Sequence, residues 1–309
     1  MRRVRFHEYG GPEVLRVEEA EVPEPGPGEL LVRTEAIGVT LPMVRKVRDG
    51  GVPLPGVLGG EVAGRVAALG PGVTGFAVGD RISALCFRDS YAEQAVVRAA
   101  MASPVPDGVG MTDALVLGRG GLVALGAYHA ARPEPGESVM VTAAASGVGH
   151  LAVQLARAYG ASRVVAAAGS PAKAAFLRGL GADEVIGYDE LAGTEPVDIV
   201  LDAVGGELLS PAIAALAPGG RLIAYSSGGG TIAAYDLLVG GKAAIGFQMA
   251  RVAMGQPDRV ARWRQELWTL LAQGRLRPAV HAALPLAEAA TAHEIIEARA
   301  NAGKVVLIP

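Results

Sequence analysis

Apolar positions along the chain fall into two regimes. Through the first hundred residues they come in short runs, such as 30–33 and 93–97, broken by Gly10-Gly11-Pro12, Pro25-Gly26-Pro27-Gly28 and Pro71-Gly72. Short runs bounded by Gly and Pro turns predict a β-rich region, and no helical periodicity is sustained there. From residue 138 the pattern changes. Apolar runs at 138–142, 163–167, 197–201 and 221–225 alternate with stretches at 147–159, 171–179 and 208–216, whose apolar residues are spaced for one helix face. Alternation of this kind marks βαβ units and a doubly wound parallel sheet. After Phe247 it stops. Residues 258–273 then predict an amphipathic helix with Val260, Trp263, Leu267 and Leu270 inward, followed by a strand, another helix and a terminal strand at 304–308. The tail is expected to rejoin the first domain.

A length of 309 residues suits two domains. With 50% hydrophobic and 19% charged residues, the composition is that of a folded globular protein. The 28 basic and 31 acidic side chains leave a net charge of −3, and past the N-terminal arginines there is no basic run beyond the short patch at Arg45, Lys46 and Arg48. That balance argues against a nucleic-acid or anionic-membrane surface and favours a small-molecule partner. No apolar run approaches the roughly 18 residues of a membrane span. A lone Cys86 allows neither an internal disulfide nor a thiolate zinc cluster. Because Arg5, His7 and Glu8 interrupt any apolar region after Met1-Arg2-Arg3, a cytoplasmic protein is expected.

The run ending at Thr142 leads into Ala143-Ala144-Ala145-Ser146-Gly147-Val148-Gly149, and a helical stretch follows at once. Small residues there let a pyrophosphate approach the amides of a helix N-terminus, where unpaired N–H groups and the helix dipole stabilise its charge. Set against G-x-G-x-x-G, the positions are Ala144, Ser146 and Gly149. The string is not matched, but a strand before, a helix after and further βαβ units behind supply the required context. About 20 residues on, where NAD sites place an acid for the ribose 2′-hydroxyl, stands Ala168-Gly169-Ser170-Pro171-Ala172-Lys173. With no carboxylate to repel a phosphate, and with Lys173 in the next first turn, the site predicts NADPH. The five histidines are scattered without the close pairs of a zinc site, and no G-x-S-x-G elbow is present.

The motifs Gly10-Gly11-Pro12-Glu13-Val14-Leu15, Gly59-Gly60-Glu61-Val62-Ala63-Gly64, Val78-Gly79-Asp80-Arg81, Asp202-Ala203-Val204-Gly205-Gly206 and Gly303-Lys304-Val305-Val306-Leu307 run nearly the length of the chain. With the glycine-rich turn, they make it resemble the medium-chain dehydrogenase/reductase superfamily and, within it, the zinc-independent quinone oxidoreductases. The resemblance implies an α/β chain: a Rossmann doubly wound parallel sheet domain at 118–249, and a β-rich GroES-like catalytic domain at 1–117 with 250–309. The superfamily's zinc members carry a histidine where Gly60 stands and a cysteine near Thr40, so a metal-free member is implied.

By the same resemblance, Ser146, Gly147, Val148 and Gly149 hold the pyrophosphate, and Ser170, Lys173 and Tyr188 the 2′-phosphate and adenine ribose. Tyr225, Ser226 and Ser227 flank the crossing from adenine to nicotinamide, with Phe247 near the carboxamide and Arg299 close to the cofactor. The family's threonine in a T-A-Y segment is Gly126 here, and its asparagine after A-x-G-x is Thr40. Leu41, Pro42 and Val52 fall where the family has its substrate pocket. The implied activity is NADPH-dependent hydride transfer to a quinone or similar conjugated carbonyl. Reduction of an enone or enoyl thioester, and NADPH binding without turnover, are the alternatives. Thr40, Tyr128 and Arg119 are proton-donor candidates beside water. A homodimer joined through the outer strand at 243–247 is also implied.

Overall fold

Leu30, Val32, Ala36, Ile37 and Val39 all lie buried on Glu29–Val39, the strand that organises the N-terminal part of the chain. The computed structural model describes residues 1–225 and 228–309. Two units are formed, 1–119 with 279–309, and 120–278.

In the first unit Glu29–Val39 pairs antiparallel with Gly60–Leu69, with Gln94–Arg98 along its first half, and with Lys304–Ile308 along its last. Val280–Pro285, Arg81–Cys86 and Ala102–Pro104 complete a seven-stranded sheet among the described residues. A smaller sheet joins Leu15–Glu19, Arg2–Phe6 and Gly56–Val57. Phe6, Leu30, Ile37, Leu58, Ile82 and Tyr91 are wholly buried in the core between them. The terminal strand does rejoin this unit, as expected.

One helix interrupts the β-rich region, Leu41–Asp49, and it carries the basic patch at Arg45, Lys46 and Arg48, which the sequence reads as a solvated helix face. Its apolar face is only Met43, Val44 and Val47, little more than one turn of periodicity, with Pro42 in its first turn and Gly50 at its end. Arg45 and Arg48 lie on the exposed side, and Arg48 pairs with Glu297 at 2.8 Å.

The second unit is the predicted doubly wound sheet. Its parallel strands lie in the order Glu184–Ile186, Val164–Ala167, Val139–Val141, Val197–Asp202, Leu216–Ala224 and Ala243–Gly246. The order reverses between Val139–Val141 and Val197–Asp202, and the crevice beyond the carboxyl ends of those two strands is where such sheets bind ligands. Apart from Asp198 and Asp202, the residues of Val139–Val141, Val164–Ala167 and Val197–Asp202 are apolar and buried, as sheets covered on both faces require.

The expected boundary at 249/250 is corrected to 278/279. Helix Pro257–Ala272, assigned from sequence to the first domain, turns Val260, Trp263, Leu267 and Leu270 into the second unit, where Trp263 stacks on His129 at 5.8 Å. The end of βα alternation is therefore not the end of the unit. One more helix is needed to cover the sheet face.

Candidate nucleotide site

The turn after Val139–Val141 is shaped by Ala143, which adopts a left-handed φ of +47°. The Ser146 hydroxyl then accepts from the amide of Gly149, the first residue of the next helix, Gly149–Ala158, at 3.0 Å. A Cβ on Gly149 would fall against the Ala143 carbonyl and the Ala144 backbone, so only glycine lets the helix start this close to the strand. The amides of Gly147 and Val148 make no hydrogen bond among the described residues. Two open donors at a helix start form an anion cradle.

The facing strand is locked to this turn. The Thr142 hydroxyl donates to Asp202 at 2.7 Å and accepts from the Ala203 amide at 2.9 Å. Asp202, 1% exposed, also accepts from the Gly205 amide at 2.8 Å. This brace holds the two sides of the crevice at fixed separation. Sequence reasoning had Asp202 only as part of a motif. Its local signal was an acid closing the apolar run Ile199-Val200-Leu201.

Tyr225 donates its amide to the Asp202 carbonyl at 3.0 Å. Its hydroxyl is buried with no hydrogen-bond partner among the described residues. Burial, with the Asp202 and Tyr188 charges adding, pushes the phenol well above its ordinary range, so it stays a neutral donor. An unsatisfied buried hydroxyl beside the crevice fits a site completed by a polar ligand. At the second strand end Ser170 caps the turn Pro171–Lys173, accepting from Ala172 at 3.3 Å, and Lys173 closes that turn half-buried. Tyr188 lies beside Gly169: a Cβ there would sit 3.5 Å from its ring.

Ser146, Gly147, Val148, Gly149, Ser170, Lys173, Tyr188 and Tyr225 thus share one edge of the second unit, at the carboxyl ends of its strands. Ser226 and Ser227 lie outside the described residues. Phe247, just after the outer strand, places its ring against Gly126, which the ring of Trp263 also approaches.

Tyr128 is removed from the proton-donor candidates. It is 2% exposed, stacks on Tyr159 at 5.3 Å, and lies near Glu137 and Arg221. Arg221 sits in the register row of Val139, Ile199 and Ala243, at the amino ends of the strands and the edge opposite the crevice.

Thr40, Arg119 and Arg299 belong to the first unit. Thr40 precedes helix Leu41–Asp49 and accepts from the Met43 amide through its carbonyl at 3.0 Å. Arg119 lies in the π-type turn Val116–Gly121, close enough to Lys304 for its charge to act there. Arg299 is exposed, with φ of +50°. Sequence reasoning missed a buried pair in this unit, Glu61 with Lys304, the latter the lone charge in its apolar strand. Gly60, where zinc members carry histidine, precedes Glu61, whose carboxylate already holds an ammonium. Among the described residues no group of three or more His, Cys, Asp or Glu side chains is placed to hold a metal ion. These residues do not fit a zinc centre.

Residues 26–125 match the alcohol dehydrogenase GroES-like domain, and residues 180–307 the zinc-binding dehydrogenase family. The chain is 33% identical to a quinone oxidoreductase of Pseudomonas aeruginosa, covering 100% of this chain and 99% of that one. It is 31% identical to a 2-haloacrylate reductase of a Burkholderia species over 98% of each. A mycobacterial protein solved in complex with NADPH superposes with a TM-score of 0.92, at 31% identity over the whole of both chains. With its GroES-like and doubly wound units in one continuous match, the chain belongs to the quinone oxidoreductase branch of the medium-chain dehydrogenase/reductase superfamily.

Proposed function

We propose that this protein is an NADPH-dependent, zinc-independent oxidoreductase that delivers hydride to a conjugated carbonyl acceptor, most simply a quinone. The observation that carries the reading is the crevice itself: open amides at Gly147 and Val148 stand beside a strand end, 168–173, that offers a lysine and no carboxylate. NADPH, when bound, supplies the hydride. The chain's part is to hold and orient it. Ser146 to Gly149 take the pyrophosphate; Ser170, Lys173 and Tyr188 take the 2′-phosphate and ribose; the Tyr225 hydroxyl finds its missing acceptor in the cofactor. Ser227, Phe247 and Arg299 remain contacts inferred from the family resemblance.

A metal-free site suits an acceptor that delocalises its own developing charge, whereas a simple ketone needs a Lewis acid. The Glu61–Lys304 pair supports the metal-free reading, since a divalent cation beside that ammonium would be repelled. Thr40 and Arg119 remain proton-donor candidates beside water. The haloacrylate reductase among the relatives favours a second acceptor class, activated enones and their thioesters.

Association into a homodimer is part of the proposal. Ala243–Gly246 is an edge strand exposed along its whole length, and Tyr235, Leu238 and Met254 are 70%, 74% and 69% exposed. An uncovered edge flanked by apolar side chains favours pairing with a second copy. A cytoplasmic location is consistent with Cys86, buried and with its thiol pushed up to about 11 by burial. No helix among the described residues is long and apolar enough to cross a membrane.

Steady-state NADPH oxidation against a panel of quinones, enones and enoyl thioesters tests the reading. Quinone turnover supports it, a strong preference for enones shifts it to the second acceptor class, and tight NADPH binding with no turnover on any of them overturns it. Light scattering that gives a concentration-independent monomer mass overturns the dimer.

A further inference from the structure

The second unit carries a cavity of about 450 Å³ at the edge opposite the nucleotide crevice, lined by Arg157, Arg178, Arg275 and Arg277 and by no acidic residue. Three helix C-termini meet there, those of Gly149–Ala158, Ala174–Gly179 and Pro257–Ala272. Helix C-termini attract cations for their own sake, so the arginines must first be matched to that need. Arg157 meets it, donating to the carbonyls of Ala161 and Gly181 at 3.2 Å and pairing with Asp183. Arg275 meets it by donating to the Ala158 carbonyl. The side chains of Arg178 and Arg277 make no hydrogen bond or ion pair among the described residues, so their charge exceeds what the helix ends require.

The backbone at Arg277 is also held in place. Gln154, 6% exposed, grips it with both amide atoms, accepting from the Arg277 amide at 2.8 Å and donating to the Arg277 carbonyl at 3.0 Å. A buried glutamine thus fixes the base of an arginine whose guanidinium has no partner. Planar, permanently charged donors converging on one concavity are suited to phosphate oxygens.

We infer that this cavity is a second anion site, for a polyphosphate group, separate from the nucleotide cradle. The ten-residue helix Gly149–Ala158 begins at the cradle and ends at the cavity, placing the two about 15 Å apart. The inference does not depend on the proposed activity.

The test is isothermal titration with inorganic tripolyphosphate, with ATP as a second arm, on the unmodified protein and on Arg178→Ala, Arg277→Ala and Lys173→Ala. Submillimolar binding that weakens with salt is expected, falling about tenfold in each arginine variant and staying unchanged in Lys173→Ala. Equal binding of tripolyphosphate and ATP identifies the phosphates alone as the ligand. Tighter ATP binding that still falls with the arginine variants adds a nucleoside contact to the same site. Binding that survives both arginine changes, or disappears in Lys173→Ala, places the anion elsewhere and overturns the inference, as does absence of binding at millimolar concentration. Circular dichroism of the variants, expected to match the parent, separates lost binding from lost fold.

Discussion

Lys304, the first residue of the terminal strand, forms a buried ion pair with Glu61, which lies two strands away across Glu29–Val39; the two side chains are 8% and 2% exposed. Burial lowers the ammonium pKa, and the Glu61 charge opposes that shift. The pair joins the first chain segment of the unit to its last. Removing one partner leaves an uncompensated buried charge, which costs about 3 to 5 kcal/mol. Chemical denaturation should therefore show Glu61→Gln or Lys304→Met to be strongly destabilised, and the double variant to recover most of the loss. Additive losses in the double variant would show that the two side chains act separately.

Cofactor preference should depend on Lys173. A charge-assisted contact to a 2′-phosphate contributes about 1.5 to 3 kcal/mol, and solvent exposure reduces it. Lys173→Ala is expected to weaken NADPH binding by about 1 to 2 kcal/mol and to leave NADH nearly unchanged, measured by fluorescence titration. Equal affinities for the two cofactors in the unmodified protein would reject this assignment.

Tyr225→Phe should move stability and binding in opposite directions. Deleting a buried hydroxyl that has no partner relieves about 1 to 2 kcal/mol in the cofactor-free protein, while the same deletion costs a contact once NADPH is bound. Thermal melts with and without NADPH check both signs. A variant with lower stability and unchanged affinity contradicts the role given to the hydroxyl.

Acid sensitivity is expected from His293, which is 1% exposed and within 3.2 Å of the Tyr91 hydroxyl. Burial holds its imidazole at a pKa of about 4, against 6.5 for the ordinary group. The unfolded chain therefore takes up the proton first as pH falls. Stability is complete above about pH 6.5 and declines to about pH 4, by about 3 kcal/mol in all. In His293→Gln that part of the pH dependence should vanish. Denaturant midpoints between pH 4 and 7 decide the matter, and parallel curves for the two proteins would count against it.

Most of the second unit was legible because burial on both sheet faces writes predominantly apolar runs, and the four runs noted from sequence fall on Val139–Val141, Val164–Ala167, Val197–Asp202 and Leu216–Ala224. The cradle was legible for a related reason, since only small residues fit between a strand end and a helix start. Helix Leu41–Asp49 was not legible beyond its basic face at Arg45, Lys46 and Arg48, because its three buried side chains cover too short a stretch to establish a period. Nor was the place of Tyr128. A sequence shows that an aromatic stands on a helix, but which end of the sheet that helix brings it to depends on packing. The Glu61–Lys304 pair lies 243 residues apart, beyond any local pattern.

The ring of Phe247 occupies the space a side chain at position 126 would need, with Trp263 closing the other side. Gly126 and Phe247 are therefore two halves of one choice, made 121 positions apart. A chimera that imports a relative's helix with threonine at 126 while keeping this outer strand would set a methyl and hydroxyl against an aromatic ring. The compatible unit of exchange is the trio of 126, 247 and 263, carried over together or left alone.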